Sequence, residues 1–250
     1  MQSFTVLVRP IWGKMASSGT EQAGDPDMQK ISIRSSLAIV LLVCCAVSAL
    51  AQATFKLPEV TSAADITYPI NSVADGVVVL DVSLDATGGN AGVNVLRDIP
   101  SLTAAATSSI PSWKFSPALL LGKPVPSVMR IAVVFRPRAY FAAGPAFTPV
   151  PSQGAQDPAH RIDALPGITS AVYPQYPVNA IVPGTVVIQV TVGKTGAIEH
   201  TKLVRDVPPF SQFALNALNE WRFQAATHEG KPVPSTLAIA FVFPLLLPVE

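Results

Sequence analysis

Beyond residue 45 the chain has no cysteine. Its two cysteines, Cys44 and Cys45, sit side by side in an apolar run near the N-terminus, so nothing downstream can be stapled by a disulfide. Stability there must come from packed cores. An excess of either charge is also missing: from Gln52 onward, Lys plus Arg and Asp plus Glu number 13 each. That balance leaves no basic footprint for nucleic acid or for an anionic membrane surface. Histidine is reduced to His160, His200 and His228, with no metal-ligand spacing among them. Gly-x-Ser-x-Gly, the P-loop pattern and Gly-x-Gly-x-x-Gly do not occur, which leaves a nucleophile elbow or a phosphate cradle without a foothold. Asp98 and Asp206 each follow an arginine just ahead of a helical pattern, but in different halves of the chain, and they read as helix-entry caps rather than an acid–base pair. The expectation is a protein with no catalytic residue, no metal and no cofactor: not an enzyme.

What the chain does have is a repeat. Residues 68–135 recur at 176–243 with a constant offset of 108 and no gap, and 26 of the 68 aligned positions are identical. Tyr68-Pro69 falls on Tyr176-Pro177, Gly76 on Gly184, Arg97-Asp98 on Arg205-Asp206, and Trp113-Lys114-Phe115 on Trp221-Arg222-Phe223. The hexapeptide Gly122 to Ser127 returns letter for letter as Gly230 to Ser235. The period is far longer than a solenoid unit, so each copy is expected to be a small domain of its own.

The first 51 residues stand outside the repeat. Met28 opens a stretch with a basic start (Lys30, Arg34), an apolar run from Leu37 to Ala51 and a small-x-small close, Ala49-Leu50-Ala51-Gln52-Ala53. This layout predicts a secretory signal peptide over 28–51, with residues 1–27 a gene-model extension or tail. The alternative is an uncleaved membrane anchor, although the apolar run falls short of the ~20 residues a spanning helix needs.

Within copy two, Val186, Ile188, Val190 and Val192 alternate with Thr185, Gln189 and Thr191, the pattern of a half-buried antiparallel strand. The turn Gly193-Lys194-Thr195-Gly196 leads to a second strand, Ile198 to Arg205. Phe210, Phe213, Ala214, Ala217, Leu218 and Trp221 then share one helical face, with Asp206 or Ser211 as the expected cap. A last strand, Leu237 to Phe243, places Leu237, Ile239, Phe241 and Phe243 on one side. Copy one keeps this order, with Leu102, Ala105, Ala106, Ile110 and Trp113 in helical register. Its helix is weakened by Thr103, Thr107, Ser108 and Ser109, and Pro111 disrupts the last turn. The fold class is therefore α+β: two small units, each a three-stranded antiparallel sheet with one helix packed on a face, in the order β-β-α-β. The expected boundaries are 64–137 and 164–250, joined by a Pro-rich linker over 138–163.

These landmarks resemble the C-terminal domain of TonB, the energy-transducing protein of Gram-negative bacteria. The matching residues are Gln175-Tyr176-Pro177, Gly184, Val186 to Val192, Gly196, Trp221-Arg222-Phe223 and Gly230-Lys231-Pro232-Val233, with a second set in copy one. The resemblance implies a binding role, in which a short segment of an outer-membrane receptor or another envelope protein is added as a strand to the domain's sheet. Carried over, the partner-binding candidates are Gln175, Tyr176 and Pro177 with the last strand at Leu237, Ile239, Phe241 and Phe243. The backbone edge of that strand is the contact, and its side chains are core. The chain departs from a working transducer: it has no long charged Pro-rich spacer, and its apolar N-terminal run lacks a histidine. An exported periplasmic adaptor is the reading. Its alternatives are a membrane-anchored transducer for receptor-coupled transport and a structural envelope protein whose sheets pair with each other edge to edge.

Overall fold

The computed structural model describes residues 55–136, 149–152, 162–177, 180 and 182–245. The signal segment expected at 28–51 and most of the Pro-rich linker lie outside the described residues. Gln52–Glu250 forms one compact unit.

In the first repeat, β1 (Phe55–Lys56) and β2 (Glu59–Ser62) lead into β3 (Gly76–Leu84), β4 (Asn90–Arg97) and helix α1 (Pro100–Ser109). Three short strands, β5 (Lys114–Ser116), β6 (Ala118–Leu120) and β7 (Lys123–Val125), precede β8 (Ser127–Phe135). The second repeat runs through β9 (Gly167–Ser170), β10 (Gly184–Val192), β11 (Ile198–Arg205), α2 (Phe210–Glu220), β12 (Arg222–Gln224), β13 (Ala226–His228), β14 (Lys231–Val233) and β15 (Ser235–Phe243). The valine alternation gives the expected antiparallel hairpins, β3 with β4 and β10 with β11. Their turns demand glycine at one point. Gly88 and Gly196 have φ of +86° and +82°, and a Cβ there would stand 2.3 and 2.4 Å from the carbonyl oxygens of Phe115 and Phe223. The closing strands return beside the first ones, β8 to β3 and β15 to β10. Each repeat is thus a three-stranded antiparallel sheet carrying one helix, the α+β plan expected.

The helices begin differently from expectation, because neither has a side-chain cap. Asp206 accepts instead from Ser211 Oγ (2.5 Å), whose oxygen accepts from the Val207 amide (2.9 Å), fixing the chain just ahead of α2. In α1 the Ile99 amide bonds to Thr103 Oγ1 (2.9 Å). The hydroxyls of Thr107 and Ser109 bond back to the carbonyls of Thr103 (3.0 Å) and Ala106 (2.7 Å), which is how a Ser/Thr-rich helix satisfies its side chains. Pro111 ends the helix in a 3-10 turn, Ile110–Ser112.

The two repeats do not remain separate domains. β15 lies beside β8 in parallel, and the strands form a single six-stranded sheet in the order β11-β10-β15-β8-β3-β4. This palindrome around a parallel pair defines a pseudo-twofold axis that runs along the strands in the plane of the sheet. Such an axis exchanges the two faces. Leu102, Ala106 and Ile110 of α1 accordingly share a core with Val78, Leu80, Val82, Met129 and Ile131. Phe210, Ala214 and Leu218 of α2 share theirs with Ile188, Val190, Leu237 and Ile239, and also with Val77, Val79, Ala132 and Val134. Adjacent residues such as Val78 and Val79 point to opposite faces, so the helices lie on opposite faces. Across the seam, large side chains under one helix meet small ones turned away from the other: Ile131 beside Ala238, Ile239 beside Ala132, Val133 beside Ala240.

Each helix covers only its own half-sheet, and an N-terminal arm covers the rest. Leu57-Pro58 with Val60-Thr61-Ser62-Ala63 aligns with Leu165-Pro166 and Ile168-Thr169-Ser170-Ala171 at the same offset of 108, so the repeat starts earlier than Tyr68. The first arm crosses the helix-free face of repeat two. The Val60 amide donates to Gln189 Oε1 (2.7 Å), the Ile66 amide to Thr185 Oγ1 (3.0 Å), and Thr236 Oγ1 to the Pro58 carbonyl (3.0 Å). Val60 and Ile66 pack there with Val187, Ala238, Ala240 and Val242. The second arm crosses repeat one in the same way: Arg130 Nη1 donates to the Pro166 carbonyl (2.8 Å) and Arg136 Nε to that of Pro174 (2.9 Å). Arg130 is fully buried and forms a two-pronged pair with Asp81 at 2.9 and 3.0 Å.

Removing one partner of a buried ion pair strands the other charge. Asp81→Ala is expected to lower the unfolding free energy by about 3–5 kcal/mol, measured by urea denaturation of the unit from Gln52 to Glu250. A loss under about 1 kcal/mol, the scale of an exposed pair, would show that Arg130 reaches solvent instead.

Candidate partner-docking surfaces

The seven residues expected to meet a partner separate into surface and core. Leu237, Ile239, Phe241 and Phe243 have no exposed area. Their strand is also not an edge, since β15 is paired along one side with β10 and along the other with β8. The expectation of an open edge at Leu237–Phe243 is therefore corrected: the sister repeat occupies that edge. The physical cause is legible in the residues between. Ala238, Ala240 and Val242 make the other side of the strand apolar too, and a strand apolar on both sides belongs in the middle of a covered sheet.

Tyr176 is 6% exposed and Pro177 is buried. The tyrosine ring stands edge-on to Phe210 (5.7 Å) and Phe243 (6.1 Å), its hydroxyl donates to the Pro244 carbonyl (2.9 Å), and the Arg136 guanidinium lies 5.0 Å over its face. Burial lowers the pKa of that guanidinium, with Tyr176 opposing the shift. This is a core anchor for the second arm. Gln175 alone of the three is exposed, on a shallow groove lined by Tyr173, Phe213, Asn216, Ala217 and Glu220. The Tyr173 hydroxyl donates to Asp75 Oδ2 (2.5 Å), and burial followed by that carboxylate raises its pKa.

The sheet's actual rims are β4 and β11, each with a single strand neighbour among the described residues. They are equivalent strands of the two hairpins, mostly exposed along their length. Val95 and its counterpart Leu203 are each 38% exposed. Sequence reasoning placed the rim on the wrong strand of the three. The signal was available in the polar run Glu199-His200-Thr201-Lys202, which fits a strand covered on neither side.

Lys202 Nζ bonds to Glu59 Oε2 (3.1 Å), and Arg205 sits 3.7 Å from Asp65, so the first arm is tied to β11 by charge as well as by packing. Hydrogen bonds from Lys56 and Lys202 lower the Glu59 pKa. Among the described residues no three His, Cys, Asp or Glu side chains converge as metal ligands. No helix among them is long and apolar enough to cross a membrane.

The described residues thus form a duplicated hairpin–helix–strand unit with two exposed rims. The chain belongs to the TonB C-terminal family: the family described as Gram-negative bacterial TonB protein C-terminal matches residues 66–137 and 169–245, one segment per repeat. It is thereby a TonB-like module of the cell envelope, from a family of protein-interaction domains. No curated protein matches the chain.

Tyr176 and Gln175 make opposite predictions. Tyr176→Ala is expected to cost about 3–5 kcal/mol in urea unfolding, as for other buried aromatic truncations. Gln175→Ala should stay within about 0.5 kcal/mol of the parent, as surface substitutions do. Equal, small losses at both positions would place Tyr176 at the surface.

Proposed function

We propose that this protein is an exported, non-enzymatic adaptor of the periplasm that binds an extended segment of an envelope protein or outer-membrane receptor by strand addition. The docking edge is a hairpin rim, β4 or β11, rather than the closing strand. One observation carries this reading: pairing of β8 with β15 uses up the closing edges and leaves the hairpin strands as the rims of the sheet. A rim strand presents a row of amides and carbonyls that an extended guest can pair with directly. Family membership supports the kind of partner. The fused seam also supports the structural reading in its internal form, because the sheet-to-sheet pairing takes place within one chain.

Synthetic peptides from the periplasm-facing segments of outer-membrane receptors, added to the unit from Gln52 to Glu250, test the proposal. Amide exchange is expected to slow along β4 or β11 and nowhere along β15. A charged side chain on an edge opposes pairing, so Val95→Lys combined with Leu203→Lys should weaken binding at least tenfold, about 1.4 kcal/mol, without altering the unfolding midpoint. Slowed exchange confined to β15, which would require the repeats to part, counts against it.

A further inference from the structure

The two rims descend from one sequence but no longer carry the same protection. Along β11 the exposed run is Glu199-His200-Thr201-Lys202, and Lys202 is bound to Glu59 of the first arm. The equivalent run along β4 is Ala91-Gly92-Val93-Asn94, so every ionisable position has become small or uncharged. Inward and outward charges are the usual means of keeping a rim from pairing, and β4 has none between Asn90 and Leu96.

Gly92 adds an independent observation. It is not among the residues of positive φ, and a Cβ built on it meets nothing within 4 Å. Neither the sign of its φ nor a clash with its own chain therefore calls for glycine. Gly88, by contrast, has both reasons. A glycine in a strand marks a bulge or a place where another backbone comes close, and Gly92 both flanks the bulge at Ala91 and lies on the open rim. The Gly92 amide donates to the exposed Asn90 Oδ1 (3.0 Å), a local acceptor that an incoming carbonyl can replace.

Resting on the docking function above, we infer that β4, over Ala91–Val95, is the rim that takes the partner strand, and that β11 is closed to it. The guest is an extended, uncharged segment with β-branched residues at alternate positions. Val93 and Val95 pair with Val82 and Leu80 and so lie on the α1 face, where the guest's branched side chains continue the apolar surface. On the other face Gly92 and Asn94 leave room and offer no charge. A second copy of the chain suits this rim less well. Self-pairing would join two six-stranded sheets into twelve strands, beyond the ~10 that a twisted open sheet usually sustains, whereas one guest strand makes seven.

The probe is an eight-residue peptide of alternating threonine and valine, blocked at both ends and extended by a short lysine-containing tail for solubility. Its control carries proline at alternate positions. With the unit from Gln52 to Glu250, the first peptide is expected to slow amide exchange at 91–95, and the control is not. Gly92→Lys should weaken binding at least tenfold, while Glu199→Ala with Lys202→Ala leaves it unchanged. An unaltered thermal melt for Gly92→Lys checks folding, since the new side chain meets open space. Slowed exchange at 198–205 instead would overturn the choice of rim and leave strand addition standing. Concentration-dependent dimers with protection at 91–95 and no peptide effect would replace the guest by a second copy. Protection at neither rim, with this probe and with receptor peptides alike, would remove the docking reading as well.

Discussion

The parallel contact between β8 and β15 decides the rest of the architecture. Parallel strands need cover on both faces, and each repeat brings only one helix. The pseudo-twofold resolves this by placing α1 and α2 on opposite faces, so each half-sheet is left with one face bare. That face must be closed by something other than a helix, and the arms do it. The first arm closes repeat two and the second closes repeat one. The seam, the opposed helices and the crossed arms thus together cover both faces of the sheet. Side-chain size follows the same rule. Ala132, Ala238 and Ala240 are small because a large neighbour under the opposite helix fills the space beside each of them.

Duplication has not kept the two arm contacts chemically equal. On the buried face of its sheet, repeat two holds the arm that crosses it with neutral groups, Gln189, Thr185 and Thr236, and its charged contacts, Lys202 with Glu59 and Arg205 with Asp65, lie at the rim. At the positions equivalent to Gln189 and Ala238, repeat one has Asp81 and Arg130, and the guanidinium both pairs with the carboxylate and reaches the Pro166 carbonyl. A buried charge pair is a poor source of net stability compared with apolar packing, but it is intolerant of misplacement. Its geometry accepts one carbonyl at one place, which sets the register of the second arm.

Much of this was legible in the residues. The offset of 108, the valine alternation at Val186–Val192, the helical face ending at Trp221 and the glycine turns gave the unit and its order, because each is a local pattern with a local cause. What was missed is non-local. The motif Leu-Pro-x-Val/Ile-Thr-Ser-Ala ahead of each copy is short and its middle strands pair only within their own repeat, so the first occurrence read as lead-in and the second, although inside the expected boundary at 164, was not recognised as part of the repeat. The last strand was read by its larger side chains alone. Leu237, Ile239, Phe241 and Phe243 are indeed core, but Ala238, Ala240 and Val242 make the reverse side apolar, and that second stripe is what distinguishes a central strand from a rim. Gln175 and Tyr176 show the same limit at a smaller scale: neighbours in sequence, one lies on a surface groove and the other under the Arg136 guanidinium.

Fusion through the closing strands changes what duplication can do for a binding module. Each of β4 and β11 lies two strands out from the seam, so the rims are five strand spacings apart, on the order of 24 Å at ~4.8 Å each. Both run in the direction of the parallel pair, with their faces exchanged by the pseudo-twofold. Two open rims would make the chain bivalent for one kind of guest, and would equally expose it to filament growth from both ends. Charges on β11 together with its tie to the first arm remove that hazard at one rim, while the small residues at 91 and 92 leave the other able to pair. On the proposed docking, repeat one, whose helix is the poorer of the two, would be the half that meets a partner, while β8 and β15 together close the other edge of each repeat in the seam.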